Sequence, residues 1–176
     1  MKTKKMVLIA AMCAISVVLS VVCRVPAFNF LTYDPKDVII VIAGFILGPA
    51  SALLISFLAA LIEFFTIGDT GIIGFFMNLI ASAAFTVPAA ALYKKVHTFR
   101  GAVLSLLTGI FAMTVMMIFW NYIVTPFYMG MERAEVAKLL IPVFLPFNLI
   151  KGFVNSVITL IIYKPIVRTL RKSNII

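Results

Sequence analysis

Long apolar runs separated by short polar or Gly/Pro-bearing stretches organise the chain. The first, from about Met6 to Cys23, is preceded by Lys4 and Lys5 and ended by Arg24-Val25-Pro26, and it predicts a membrane-length helix. Residues Val25 to Asp37 carry two prolines and several polar groups, and predict a loop that does not span. Asp34 and Asp37 are candidate caps for the helix that follows, and capping alone is the expected role of Asp37. A second helix, about Val38 to Leu47, is short; Gly48-Pro49 breaks it and starts a third, about Ala50 to Phe65, as an antiparallel neighbour.

Glu63, near the outer end of that third helix, is expected to snorkel to water. Thr66 to Gly74 is a glycine-rich loop with Asp69, and a fourth helix runs from about Ile72 to Tyr93 with a kink at Pro88. Lys94, Lys95, His97 and Arg100 form a basic loop in which the lone histidine reads as solvated. A fifth helix covers about Gly101 to Val124, Thr125 to Ala137 is an outer loop, and a sixth helix starts between Leu139 and Phe147 and ends near Tyr163. Pro142 and Pro146 predict irregular first turns there.

Composition settles the class. Of 176 residues 64% are hydrophobic and 12% charged, and mean hydropathy is +1.18, where soluble domains carry about a quarter charged residues. The prediction is an all-α polytopic membrane protein with six transmembrane helices, a single transmembrane domain over residues 1–176. The lysine-rich start resembles a signal peptide, but no small-residue cleavage site follows cleanly, so a retained first helix is expected. Cys13 and Cys23, the two cysteines, lie too far apart along one helix to bridge, and no metal-ligand spacing occurs.

The net charge of +9 is a topological signal rather than one for nucleic acid. In a six-helix arrangement Lys2, Lys4, Lys5, Lys94, Lys95, Arg100, Lys164, Arg168, Arg171 and Lys172 fall on one side, and the acidic residues fall at or near the other. Both termini are therefore expected in the cytoplasm of a multi-pass protein of the cell membrane.

Against this apolar background Trp120-Asn121-Tyr122 and Pro146-Phe147-Asn148-Leu149-Ile150-Lys151 stand out. Asn148 and Lys151 share a helical face, which Asn155 extends. An ammonium at membrane depth costs about 2.5–3.5 kcal/mol on insertion scales, so a polar ligand site is the default reading. The carboxamides offer donors and acceptors to an amide or imide edge, and Lys151 offers a charge-assisted donor. Trp120, Tyr122, Phe127, Tyr128, Phe144 and Phe147 are available to wall a flat heteroaromatic ring, or to serve as interfacial belt residues. Asn78 is either a helix-to-helix hydrogen bond or a ligand contact. Ala10 and Ala14, flanked by Ala11, form a small-residue pair that suits either a docking face or internal packing.

Motifs for catalysis and for ATP are missing. No G-x-x-x-x-G-K, H-E-x-x-H or G-x-S-x-G occurs, and no intramembrane carboxylate pair suggests a proton pump. The chain reads as a binder that depends on energy supplied by other subunits, with no catalytic residues and no metal. The different-class alternative is a membrane-embedded enzyme or assembly subunit with a structural polar cluster.

These residues resemble the substrate-binding S components of energy-coupling factor (ECF) transporters, and among them the riboflavin-specific RibU group. The resemblance covers essentially the whole chain. It is sharpest at Trp120-Asn121-Tyr122 with Pro126-Phe127-Tyr128, at Pro146 to Gly152, at Thr32 to Val38, and at Gly68-Asp69 with Phe75 to Asn78. Thr70 stands where relatives often have proline after Gly-Asp. The resemblance implies that Asn121, Asn148 and Lys151 meet the polar edge of an isoalloxazine ring, with Asn78, Asp34, Tyr122 and Phe147 nearby. It implies that Ala10 and Ala14 dock on the transmembrane coupling subunit EcfT, which works with two cytosolic ATPases. Riboflavin is then a transported ligand rather than a cofactor, and FMN or another planar vitamin such as thiamin is the alternative cargo.

Overall fold

The computed structural model describes residues 2–28, 31–68 and 71–172. Seven α-helices carry most of the chain: α1 (Lys2–Val22), α2 (Lys36–Leu47), α3 (Pro49–Thr66), α4 (Gly71–Tyr93), α5 (Phe99–Met129), α6 (Arg133–Leu139) and α7 (Leu145–Lys172). A π-helical segment, Leu140–Phe144, joins α6 to α7. Pro142 lies inside it, so the irregularity anticipated from Pro142 and Pro146 takes the form of wide turns that tolerate a missing backbone donor.

Among the described residues, five stretches are long and apolar enough to cross a membrane: Thr3–Val22, Pro49–Thr66, Gly71–Tyr93, Phe99–Met129 and Arg133–Leu170. The other expected span, α2, has 12 residues, about 18 Å of helix against a hydrocarbon layer of about 30 Å. It is short because it lies inside the bundle. Val38 and Ile40 to Ala43 are at most 1% exposed, and Ile40, Val41 and Ala43 share a core cluster with Ala52, Ile55 and Ala59 of α3 and Phe85, Ala89 and Ala90 of α4. The outward faces of the long helices remain apolar, with Phe111, Phe119 and Ile161 each at least 60% exposed. Such a surface suits lipid, as an all-helical membrane protein requires.

Small residues set how closely the helices approach. Gly48, with φ of 95°, turns α2 into α3 in a conformation that a side chain would strain. Gly109 of α5 abuts α4 so tightly that a Cβ there would sit 2.5 Å from the Phe85 carbonyl oxygen. Gly109→Ala therefore has to part the two helices, and a thermal melt in detergent should show a loss of about 1–3 kcal/mol. An unchanged melt would mean that this contact is looser than drawn.

Several sequence expectations need correction. The segment Val25 to Asp37 is not simply a loop: β1 (Val25–Phe28) pairs antiparallel with β2 (Leu31–Tyr33), with an irregularity between Pro26 and Phe28. Helix α2 begins at Lys36 with Pro35 as N-cap and no side-chain cap, so Asp37 is a buried first-turn residue rather than a cap. Helix α5 runs through Pro126 to Met129 and stops at the left-handed Gly130, which shortens the outer connection. The basic tail continues α7 to Lys172. Asp69 and Thr70 lie outside the described residues.

At one end of the bundle Phe45 of α2 stacks on Tyr93 of α4 at 4.0 Å, and the Tyr93 and Tyr163 hydroxyls are 3.0 Å apart. His97 is exposed and lies 5.3 Å from the Tyr93 ring. The other end, where the hairpin meets α3, α4, α5 and α7, holds the cavity.

Candidate functional site

Helical periodicity brings the polar residues onto a common space. On α5, Met117, Asn121, Thr125 and Tyr128 follow one another at intervals of four, four and three, which aligns them on one face. On α7, Phe147 and Lys151 are four apart with Asn148 beside them. Glu63 and Phe64 contribute from α3, Phe75 and Asn78 from α4, and Asp34 from the link between β2 and α2. Together they line an open cavity of about 220 Å³.

Six of the seven expected ligand residues, Asn121, Asn148, Lys151, Asn78, Asp34 and Phe147, line this cavity. Tyr122 does not: it is 42% exposed on the outside of α5. One residue on from Asn121 is a rotation of about 100°, so Tyr128 takes the aromatic place that Tyr122 was expected to fill. Of the other anticipated aromatics, Phe127 is exposed and Phe144 is buried away from the cavity. Asn155 is also elsewhere, accepting a hydrogen bond from Tyr33 Oη at 2.9 Å.

The carboxamides are held by their own helices. Asn121 Nδ2 donates to the Met117 carbonyl at 2.7 Å, and its Oδ1 accepts from Thr125 at 3.0 Å. Asn148 Nδ2 donates to the Phe144 carbonyl at 2.7 Å. Each Nδ2 bond uses one of the two amide hydrogens and fixes the side-chain rotamer. A second N–H, and an oxygen with lone-pair capacity, remain for a ligand edge.

Lys151 is positioned by charge. Its Nζ lies 3.2 Å from Asp34 Oδ2 and 3.8 Å from Asp37 Oδ2, which ties α7 to the far end of the hairpin. Burial pushes the Asp34 carboxyl up, but the charges of Lys151 and Lys36 and the hydrogen bond from Lys151 outweigh it and hold the group below the usual range. Asp34 is thus a carboxylate, as a counter-ion must be.

A second charged cluster was missed from sequence. Lys36 Nζ pairs with Glu63 Oε2 at 2.5 Å and donates to Asn78 Oδ1, and Asn78 Nδ2 bonds Glu63 Oε2. Lys36 is 1% and Glu63 6% exposed, so Glu63 does not snorkel. A buried carboxylate needs a counter-charge, and Lys36 supplies it from 27 residues away. Asn78 makes the helix-to-helix hydrogen bonds that one reading expected, and it also lines the cavity.

A family model described as ECF transporter, substrate-specific component, matches residues 4–163. The chain belongs to that family. It is 30% identical to the riboflavin transporter FmnP of Bacillus subtilis (strain 168), over 99% of this chain and 100% of the relative. With the riboflavin transporter RibU of Staphylococcus aureus (strain TCH60) it shares 28% identity over 97% of this chain and 94% of that one. A structure described as the S component of a bacterial ECF transporter superposes with a TM-score of 0.81 at 27% identity, covering 97% and 99% of the two chains. As an S component this protein is a substrate-binding transporter subunit and not an enzyme.

Proposed function

We propose that this S component binds riboflavin in the cavity lined by Asn121, Asn148 and Lys151, and hands it inward when an ATP-driven coupling module acts on it. The observation that carries the reading is the convergence of those three side chains, from two helices, on one cavity. Two carboxamides and an ammonium complement the alternating donors and acceptors of the isoalloxazine edge, and Phe64, Phe75, Tyr128 and Phe147 supply aromatic walls. The relatives named as riboflavin transporters support the same cargo.

The finer topology is part of the proposal. Counting α2 as a crossing gives six, with both termini and the basic loop after α4 in the cytoplasm of a cell-membrane protein. Two facts support this: α2 reaches from Lys36, paired with the cavity-lining Glu63, to the aromatic cluster at Phe45, and basic residues gather at one end. The partners in this reading are the transmembrane subunit EcfT, docking at Ala10 and Ala14, and two cytosolic ATPases.

Protein purified from cells grown with riboflavin should be yellow and release about one flavin per chain on denaturation, as expected of a tight single site. Colourless protein that leaves the fluorescence of added riboflavin unquenched would overturn the reading.

A further inference from the structure

A second space lies outside the polar cavity, between the hairpin and the start of the last helix. Ala27 and Tyr33 form one side of this groove, and Pro142 and Val143 of the π-helical segment with Val154 of α7 form the other. Its volume is about 450 Å³, within the range of about 300–1,000 Å³ usual for small-molecule sites. Around Pro142 wide π turns stand in place of a regular helical turn, and from the hairpin Ala27 brings only a methyl group.

The lining calls for an apolar occupant. Two polar side chains reach the groove, and both are engaged: Tyr33 Oη donates to Asn155 Oδ1 at 2.9 Å, and Lys151 Nζ to Asp34 Oδ2 at 3.2 Å. The mouth opens on the lipid-facing surface. Ile150 lines the groove and begins a stripe with Phe153, Val157 and Ile161, spaced by three, four and four and all at least 40% exposed along one face of α7. This stripe belongs to the membrane-length stretch Arg133–Leu170. An apolar gap beside hydrocarbon offers water no partners, and a chain that enters it recovers the dispersion contacts that a void forfeits.

We propose that the groove between the hairpin and α7 binds one acyl chain of a membrane phospholipid, inserted between these elements rather than lying on the bundle surface. Phe147 and Lys151 line this groove and the polar cavity alike. The inserted chain therefore packs against the two side chains that part the groove from the cavity.

The test is photolabelling of the full chain in phosphatidylcholine vesicles that carry a trace of the same lipid with a diazirine midway along one acyl chain. Labelled residues are located by peptide mass spectrometry. Pro142 and Val143 should carry more label than Phe111, Val115 and Phe119, an exposed stripe of α5 that meets lipid at the surface. Val154→Trp, which puts an indole into the groove, should lose that excess, bringing the label at Pro142 and Val143 down to the α5 level while the α5 label is unchanged. The α5 label is the control for fold and insertion. Should Val154→Trp disturb it, the comparison is read in Ala27→Phe, which fills the groove from the hairpin.

Groove label no higher than α5 label in the wild type overturns the proposal, and leaves the groove as a seat for a partner helix. Excess label that survives substitution in a variant with the normal α5 pattern also overturns it, because the lipid then lies on the surface.

Discussion

Lys151→Ala should weaken riboflavin binding by roughly 10- to 100-fold, the equivalent of about 1.5–3 kcal/mol for a hydrogen bond to a charged group. The ammonium is 7% exposed and faces the cavity, with Asp34 and Asp37 behind it. Removing it also leaves two carboxylates without their nearest cation, and breaking a buried pair in this way costs about 3–5 kcal/mol of stability. Affinity and stability therefore fall together in the single variant, and a second is needed to separate them. In Lys151→Met combined with Asp37→Asn the buried charge is closer to balanced, so the thermal midpoint should recover much of its loss while riboflavin affinity stays low. Titration by fluorescence quenching alongside a melt reads both. Full affinity in the double variant would remove Lys151 from the ligand.

Ala14→Trp should leave riboflavin affinity of the isolated S component unchanged and reduce uptake in cells to near background. Leu8, Met12 and Ser16 of α1 turn into the bundle, whereas Ala10, Ala11 and Ala14 are exposed. The exposed face lacks bulk at the positions where a partner helix would approach. Between helices in lipid, association depends on close van der Waals packing, and small residues permit it. Overpacking such a contact costs about 1–3 kcal/mol, a complex roughly 5- to 150-fold weaker. Radiolabelled riboflavin uptake with the coupling module present, compared with binding to the purified chain, separates the two effects. Loss of binding by the purified variant would show that this face supports the cavity rather than a partner.

The features legible in the sequence were those that depend on near neighbours along the chain. Asn121, Asn148 and Lys151 stood out because polar groups are costly in apolar segments, and Gly48-Pro49 marked a reversal that the structure contains. The pairing of Lys36 with Glu63 was hidden because it is a long-range contact between residues that each look locally unremarkable: a lysine in a polar segment, and a glutamate near a helix end. The hairpin was missed since β1 and β2 have four and three residues and no clear alternation. Ending α5 too early at Val124 had a specific effect. It placed Tyr128 in a loop, although seven residues from Asn121 is two helical turns, whereas the one residue that separates Tyr122 from Asn121 turns it to another face.

The ion pair between Lys151 and Asp34 joins residues separated by 117 positions, and that separation bears on how the protein is made. Asp34, Lys36 and Asp37 leave the ribosome with the short helix α2, long before α7 exists. Glu63, the partner of Lys36, is made 27 residues later with α3, whereas Asp34 and Asp37 are made long before Lys151 arrives with α7. Until α7 is made, the nascent chain has those carboxylates without that cation, and the cavity lacks the wall that Phe147, Asn148 and Lys151 supply.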